Sequence, residues 1–355
     1  MAKLNGASAL PPEAQNFLAI HKKLLEQMSD AEASEATIQE MYRTYYAEMG
    51  GAGKAPEVPA RTREPVADTG NVTAATLGLL PISPPYAPGR FSNGPVWTDI
   101  VAAAYGTESR PSLLGGNNYA VGGATTGGTA SVAGVPIPGV TLQTLGFLSR
   151  LPPTGADPDA LYIVYGGGND VRNELAGTLP AETLAAAATA NVGQSLTNLA
   201  LAGARYIMVP NLSDLAMTPE SIAGGPAIQE RATTLSAAFN AALTSVLADI
   251  EASFPVELVS LDVRSLFNDV ASNPAGYGLT DVTTPCFSGA IGQPGTVCAD
   301  PDQYLFWDSV HPSAAAHRIL GNYALAALSD WGVGGSDGDP TEVPEPATLV
   351  LLAGG

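Results

Sequence analysis

The stretch that decides the fold is ALYIVYGGGND, residues 160–170. Its first six residues form an unbroken apolar run of strand length, which predicts a strand buried on both faces of a parallel sheet. Three glycines end the run. Because ligand-contacting groups lie just beyond the carboxyl ends of such strands, Asn169 is placed to donate its amide N–H to an oxyanion.

Strands and helices alternate on the carboxyl side of this stretch. The predicted strands are 205–209 and 256–261, and the predicted helices are 181–201, 227–253, 263–271 and 313–329. This alternation indicates crossover units on a parallel sheet, so we expect an α/β fold. At 355 residues with 45% hydrophobic content, the chain has enough apolar surface for a large core.

The charge of the chain limits its partners. With 15 basic and 34 acidic residues the formal net charge is −19, which repels phosphate backbones, so we expect no nucleic-acid partner. Of the three histidines, His21 and His317 have no identifiable partner nearby in the sequence, and no cysteine–histidine cluster has the spacing of metal ligands. We therefore expect neither a metal nor another cofactor.

Near the carboxyl end, the run WDSVHP at residues 307–312 places an acid three residues before a histidine. This spacing lets one loop hold both an imidazole and the carboxylate that orients it, as nucleophilic hydrolases require. His311 would then be a general base and Asp308 its orienting acid. The alternative interpretation is a capping aspartate and a surface histidine at the start of a helix.

Glycine-rich and turn-dense segments precede the decisive strand. They are DTGN at 68–71, PPYAPGRFSNGPVW at 84–97 and GGNNYAVGGA at 115–124. The second leads into a predicted helix that runs through Ala104 and is long enough to build the rim of a site. The third is interpreted as a strand end that opens into glycines, whose backbone N–H groups can approach a ligand closely, although such turns are often only turns.

Together, these motifs resemble the GDSL (SGNH) family of serine esterases and lipases over residues 67–331. The resemblance implies a three-layer α/β/α sandwich with a parallel, flavodoxin-like sheet, and ester hydrolysis through an acyl-serine. By this likeness the Gly123 N–H and the Asn169 amide are oxyanion donors, His311 is the base and Asp308 orients it. The implied substrate is an ester of a small molecule or a lipid.

The nucleophile of that family is missing at its expected position. In the family, the DTGN run follows a strand ending F-G-D-S-L-S, whose first serine attacks the ester. Here TREPVA occupies residues 62–67, and Pro65 aligns with the serine but has neither a hydroxyl nor an N–H. Ser83, Ser92 and Ser309 lie in or near matched motifs, but none belongs to a strand-to-helix turn. We therefore identify no nucleophile and predict weak or absent hydrolysis.

The two cysteines of the chain, Cys286 and Cys298, flank a loop rich in glycine and proline just before Asp308. A disulfide between them would fix the loop that leads to the acid–histidine pair and would fit an exported protein. Two unpaired thiols are the alternative.

The amino-terminal segment, residues 1–66, differs from the rest of the chain in its sequence pattern. Apolar residues at helical spacing between Pro12 and Met49 predict two amphipathic helices, followed by a polar linker. The segment weakly resembles the helical cap of hormone-sensitive-lipase-type α/β-hydrolases, and an unrelated or foreign extension is equally compatible. The start MAKLNG lacks the apolar region of a signal peptide.

Residues 332–355 are interpreted as a linker and tail. VPEPAT at 343–348 followed by LVLLA at 349–353 resembles a truncated PEP-CTERM sorting signal. Its apolar run is far shorter than the roughly 20 residues that span a bilayer. We therefore expect no stable membrane span and a soluble chain, descended from a secreted or cell-surface protein.

Two classes of function remain after these observations. The first is a carboxylic ester hydrolase, and the second is a catalytically inactive surface protein that binds acylated or glycan ligands in the glycine-lined cleft. A serine-reactive fluorophosphonate probe would separate them. A third hypothesis, an active α/β-hydrolase of the lipase-cap type, fails because its G-x-S-x-G elbow is absent from the sequence.

Overall fold

The computed structural model describes residues 70–331, except 77, 79, 133, 134, 290 and 292, together with the segment 349–353. All of these residues lie in one compact unit, Pro65–Gly355. The predictions made for residues 1–66, including the two amphipathic helices, the aligned position Pro65 and His21, lie outside the described residues.

The described strands and helices follow in chain order. The strands are β1 (Thr129–Val132), β2 (Val135–Pro138), β3 (Leu161–Tyr165), β4 (Tyr206–Pro210), β5 (Glu257–Leu261), β6 (Asp281–Pro285), β7 (Tyr304–Phe306) and β8 (Leu349–Ala353). The helices are α1 (Asn71–Ala75), α2 (Trp97–Ala104), α3 (Val140–Leu148), α4 (Gly168–Asn173), α5 (Ala181–Ala202), α6 (Pro219–Gly224), α7 (Pro226–Ser253), α8 (Val263–Ser272) and α9 (Ala314–Asp330).

The main sheet is parallel and has the order β5-β4-β3-β8 among the described strands. β1 and β2 form a separate antiparallel hairpin, and β6 pairs with β7 in parallel. The predicted α/β class is therefore confirmed, and the predicted strands agree with β3, β4 and β5 to within about one residue. β8 was not predicted as a strand, because its apolar residues were interpreted as part of a sorting tail.

The decisive strand β3 is buried on both faces, as its sequence predicts. Tyr162 and Val164 point into a core built with α5 and α7. Leu161 and Ile163 point into a second core built with α2, α8 and α9. Helices thus cover both faces of the sheet, and an apolar residue at every position of β3 is required because neither face meets water.

The turn after β3 requires glycine at one position. Gly167 has a φ of 112°, and a Cβ built there would lie 2.4 Å from a ring carbon of Phe239 on α7. Both the positive φ and the close ring exclude a side chain. The chain can therefore pass directly from the buried strand into α4, which carries Asn169.

The predicted strand end at residues 115–124 is wrong. The segment follows a 3-10 turn, Ser112–Leu114, and is a loop held by a single bridge between Pro111 and Asn118. Side-chain hydrogen bonds take the place of strand pairing here. The Asn71 amide donates to the carbonyls of Asn118 and Ala120 at 2.9 and 2.8 Å. Such side-chain bonds to the backbone compete with strand pairing.

The predicted disulfide is present between Cys286 and Cys298. It lies in a small aromatic cluster with Tyr86, Phe287 and Trp307. Trp307 immediately precedes Asp308, so the disulfide supports the segment that carries the acid–histidine pair. Among the described residues, no helix is long and apolar enough to cross a membrane.

Candidate active site

Asp308 and His311 lie in a tight turn between β7 and α9. Oδ1 of Asp308 accepts the backbone N–H groups of Val310 and His311 at 2.9 and 2.8 Å, while Oδ2 lies 2.7 Å from Nδ1 of His311. Because an ionised carboxylate only accepts hydrogen bonds, Nδ1 carries the proton in this pair. Nε2 is then the ring nitrogen that is able to take up a proton.

The charge of Asp308 is maintained although the residue is only 2% exposed. Burial works to raise the pKa of its carboxyl. The His311 ring and the two backbone N–H groups outweigh burial and lower the pKa to about 2. Asp308 is therefore ionised at neutral pH, as an orienting acid requires.

Tyr86 completes the surroundings of Asp308. Its buried hydroxyl donates to Oδ2 at 2.7 Å. Burial first, and then the charge of Asp308, raises the pKa of Tyr86 well above its usual range, so the phenol remains a donor. Tyr86 lies in the turn-dense loop, but its role is not predictable from the sequence, because no local spacing connects positions 222 residues apart.

The same loop covers one face of the His311 ring. The ring of Phe91 stacks on the imidazole with centroids 5.1 Å apart and planes 27° apart. Ser92 donates to the Pro312 carbonyl at 2.9 Å, and the Asn93 side chain accepts the first N–H of α9 at 2.8 Å. The loop therefore encloses the turn on which the histidine lies.

Asn169 joins the end of β3 to the glycine-rich loop. Its Nδ2 donates to the Ala124 carbonyl at 2.9 Å. The neighbouring Asp170 accepts both the backbone N–H and the hydroxyl of Thr126, at 2.9 and 2.8 Å. Gly123, with a φ of 81°, directly precedes Ala124, so the two predicted oxyanion donors are held in adjacent segments.

A cavity of about 240 Å³ is lined by two of the predicted groups. His311 and Asn169 both line it, while Gly123 does not. Most other lining side chains are apolar, among them Trp97, Leu175, Leu212, Met217, Phe267 and Phe306. A cavity of this kind combines a base and an amide with space for a hydrocarbon group.

An ion pair forms part of the cavity lining. Arg172, three residues after Asn169 on α4, binds Glu220 of α6 through two hydrogen bonds of 2.6 and 2.7 Å. The backbone N–H of Glu220 donates to the Ser309 carbonyl at 2.9 Å. These contacts connect α4, α6 and the Asp308–His311 turn. The pair is not predictable from the sequence, because its members lie on separate elements without a shared motif.

The second described histidine also lines the cavity. His317 lies on α9, and its buried Nδ1 has no hydrogen-bond partner among the described residues. Burial, followed by the charges of His311 and Arg90, lowers the pKa of His317 to about 3. The ring is therefore neutral at ordinary pH and presents no competing charge to His311.

The three serines considered from the sequence do not line the cavity. Ser92 donates to a backbone carbonyl, and the cavity-lining serine among the described residues is Ser213, which follows β4. Among the residues that the structure describes, no group of three histidine, cysteine, aspartate or glutamate side chains could hold a metal ion.

Comparison with known proteins gives matches over most of the chain. The family model described as GDSL-like Lipase/Acylhydrolase matches residues 49–324. This range includes residues 49–66, which the sequence analysis assigned to the extension and linker.

Three relatives illustrate the matches. A protein from the trpE-trpG intergenic region of Pseudomonas putida is 35% identical over 276 residues, which are 72% of this chain and 44% of the relative. Esterase EstA of Pseudomonas aeruginosa is 32% identical over 250 residues, 65% of this chain and 37% of the esterase. A phosphatidylcholine-sterol acyltransferase of Aeromonas hydrophila is 26% identical over 308 residues, 74% and 87% of the two chains. The chain thus spans less than half the length of the first two relatives.

Proposed function

The chain belongs to the GDSL-like lipase/acylhydrolase family, and on that premise we propose that it is a carboxylic ester hydrolase acting on esters of small molecules or lipids. The observation that carries the proposal is the 2.7 Å contact between Asp308 and the Nδ1 of His311, beside a largely apolar cavity. Relatives named as an esterase and an acyltransferase support acyl chemistry.

In the proposed mechanism, Nε2 of His311 removes a proton from the attacking hydroxyl and later returns it to the leaving alcohol. Asp308 stays ionised, keeps the proton on Nδ1 and stabilises the imidazolium while it exists. The hydrogen bond from Tyr86 and the two backbone N–H groups hold this carboxylate in one orientation. The histidine is thereby aligned before a substrate enters.

Stabilisation of the negative charge on the tetrahedral intermediate is assigned to the side-chain amide of Asn169 and the backbone N–H of Gly123. The amide of Asn169 lines the cavity, and its bond to Ala124 fixes its direction relative to the loop that carries Gly123. Donors held in this way need no reorganisation as charge develops. Arg172 and Glu220, which connect α4 to the histidine turn, would preserve the spacing between donor and base.

The nucleophile is the group for which we identify no residue in this chain. We assign the serine position to Pro65, so the unmodified chain is expected to hydrolyse esters poorly or not at all. Without a nucleophile, only the roughly 10³–10⁴-fold acceleration from the oxyanion donors and binding remains. Pro65→Ser alone is expected to fail, because the family also supplies an apolar strand and a third N–H donor from this block.

Three proteins test this assignment in an assay with short-chain p-nitrophenyl esters. They are the unmodified chain, Pro65→Ser, and a chain whose residues up to Ala67 are replaced by an apolar strand ending F-G-D-S-L-S. The third is expected to be active and to lose that activity with His311→Ala, while the first two remain weak. Turnover at ordinary enzyme rates by the unmodified chain, abolished by His311→Ala, would show that another nucleophile acts.

A binding function is the second candidate. It is favoured by the apolar cavity, whose described lining includes Ser213 but none of Ser83, Ser92 and Ser309. Such a protein would hold an acylated ligand without cleaving it. A fluorophosphonate probe separates the two functions, since labelling that disappears with His311→Ala requires an activated serine. No labelling together with saturable binding of a decanoyl ester would support the second candidate.

An exported or cell-surface origin is also proposed. The disulfide between Cys286 and Cys298 supports it, because such bonds persist mainly in oxidising compartments. Thiol alkylation of the protein as isolated from its native source tests this. Two alkylated cysteines before reduction would count against export.

A further inference from the structure

β8 lies along the edge of β3 opposite β4, although it comes from a distant part of the chain. The two strands run parallel through five register pairs, from Leu161 with Leu349 to Tyr165 with Ala353. β3 is the neighbour of β8 in the sheet, and β4 lies on the other side of β3. This edge of β3 is therefore paired with a segment whose sequence also resembles a sorting tail.

An open edge at β3 would be unfavourable. Both faces of β3 are buried, so unpaired N–H and C=O groups along this edge would be poorly hydrated. A strand that fills the position needs apolar residues and a continuous set of N–H groups. The sequence LVLLA at 349–353 has both properties, since it contains no proline and no charge.

β8 is held in the sheet by its pairing with β3 rather than by a short link to the preceding helix. Among the described strands, β8 pairs with β3 and with no other strand of the main sheet. In the sequence, residues 331–348 lie between the end of α9 and the start of β8, a much longer separation than the roughly 2–6 residues that usually join helices and strands in α/β units. A strand at the end of a long connection is able to reach the same edge of another molecule.

We propose that the β3 edge is a strand-acceptor site for the segment Leu349–Ala353, and that this segment is exchangeable between two copies of the chain. The exchanged strand makes the same five register pairs in a second copy, so exchange needs no new interface. The proposal does not depend on ester hydrolysis. It does place the incoming strand beside Tyr165, a cavity-lining residue at the end of β3, which is followed by the helix α4 that carries Asn169.

The first test uses the full chain with Leu351→Pro as the acceptor. Proline removes the central N–H of β8 and disfavours the strand, so this variant should release its own segment. A synthetic peptide of residues 341–355 should then bind with 1:1 stoichiometry and raise the melting temperature. The same peptide with Leu351→Pro, equally apolar, should bind at least tenfold more weakly. Equal binding of the two peptides would overturn the proposal.

Ser336→Pro, which lies between α9 and β8 in the sequence, is the matched control. Its melting temperature should equal that of the unmodified chain, and adding the peptide should not change it. Because Leu351→Pro could prevent folding, a second measurement uses the unmodified chain. Its amides at 349–353 should exchange hydrogen at least a hundredfold more slowly than those of the free peptide. Hydrogen exchange at the rate of the free peptide would refute the pairing of β8 with β3.

Exchange between copies is measured with two forms of the unmodified chain that differ in isotopic mass. Incubation at high protein concentration should produce a mixed-mass dimer, detected by native mass spectrometry after chromatography. The dimer should be absent when both forms carry Leu351→Pro. If the two Leu351→Pro forms yield the same dimer, the association uses another surface and the proposed exchange of β8 between copies is wrong.

Discussion

Replacing Tyr86 by phenylalanine would isolate one hydrogen bond at the centre of the site. The change removes the hydroxyl that donates to Asp308 at 2.7 Å but keeps the ring, which packs edge-on against Phe287 and Trp307. A hydrogen bond to a charged group contributes about 1.5–3 kcal/mol. Because Asp308 retains its bonds to Val310 and His311, we expect the lower part of this range, about 1.5–2 kcal/mol.

The pH dependence of the loss follows from the pKa of Asp308. Its folded-state pKa of about 2 is below the value near 4 of an unfolded aspartate, so the ionised carboxylate stabilises the fold above about pH 4. This contribution is lost as the pH falls through about 2. Because a hydrogen bond to the ionised form favours ionisation, removing the Tyr86 donor should move the folded-state pKa of Asp308 toward the unfolded value. The difference in unfolding free energy between the two proteins should therefore be largest at neutral pH and shrink between pH 4 and pH 2.

Tyr162→Phe is the matched control. Tyr162 is also buried, but its hydroxyl donates to the neutral carbonyl of Asp157 at 2.8 Å. Its loss should be about 0.5–1.5 kcal/mol and should not follow the titration of Asp308. Urea unfolding at pH 7 and pH 3 measures both variants. If Tyr86→Phe costs no more than Tyr162→Phe and the cost is the same at both pH values, the phenol does not stabilise the carboxylate.

Two further predictions concern the frame of the site. Reducing the Cys286–Cys298 disulfide should add the mass of two hydrogen atoms and lower stability by about 3 kcal/mol in the chain-entropy model, or roughly 6–12 °C in melting temperature; an unchanged melting temperature would contradict this. Gly167→Ala should cost about 2 kcal/mol or more, because of its φ of 112° and the aromatic ring 2.4 Å from the new Cβ. Gly168→Ala, where a Cβ meets nothing within 4 Å, should be nearly neutral in the same calorimetric measurement.

The central strands and the acid–histidine turn could be predicted because their signals are local. The unbroken apolar run of β3 reflects burial on both faces, and it was predicted within one residue of its observed start. The contact between Asp308 and His311 needs only three residues of chain and one tight turn. Patterns of this length are visible in one sequence without any knowledge of the tertiary structure.

The partners of these groups could not be predicted, because they come from distant loops. Tyr86 reaches Asp308 across 222 residues, and Arg172 reaches Glu220 across 48. Neither pair has a period or a spacing that a local pattern would show. The strand β8 was missed for another reason, since a short apolar run has the same composition whether it pairs in a sheet or belongs to a tail.

The stack of Phe91 on His311 has a consequence for the motion of the base. One face of the imidazole is covered at 5.1 Å, and its Nδ1 is held at 2.7 Å, so rotation about the side-chain bonds would break both contacts. A ring confined to one rotamer has already lost its conformational entropy in the folded state. Proton uptake then requires no search among rotamers, and shortening the side chain at position 91 would leave the contact with Asp308 to hold the ring without the stacking contact.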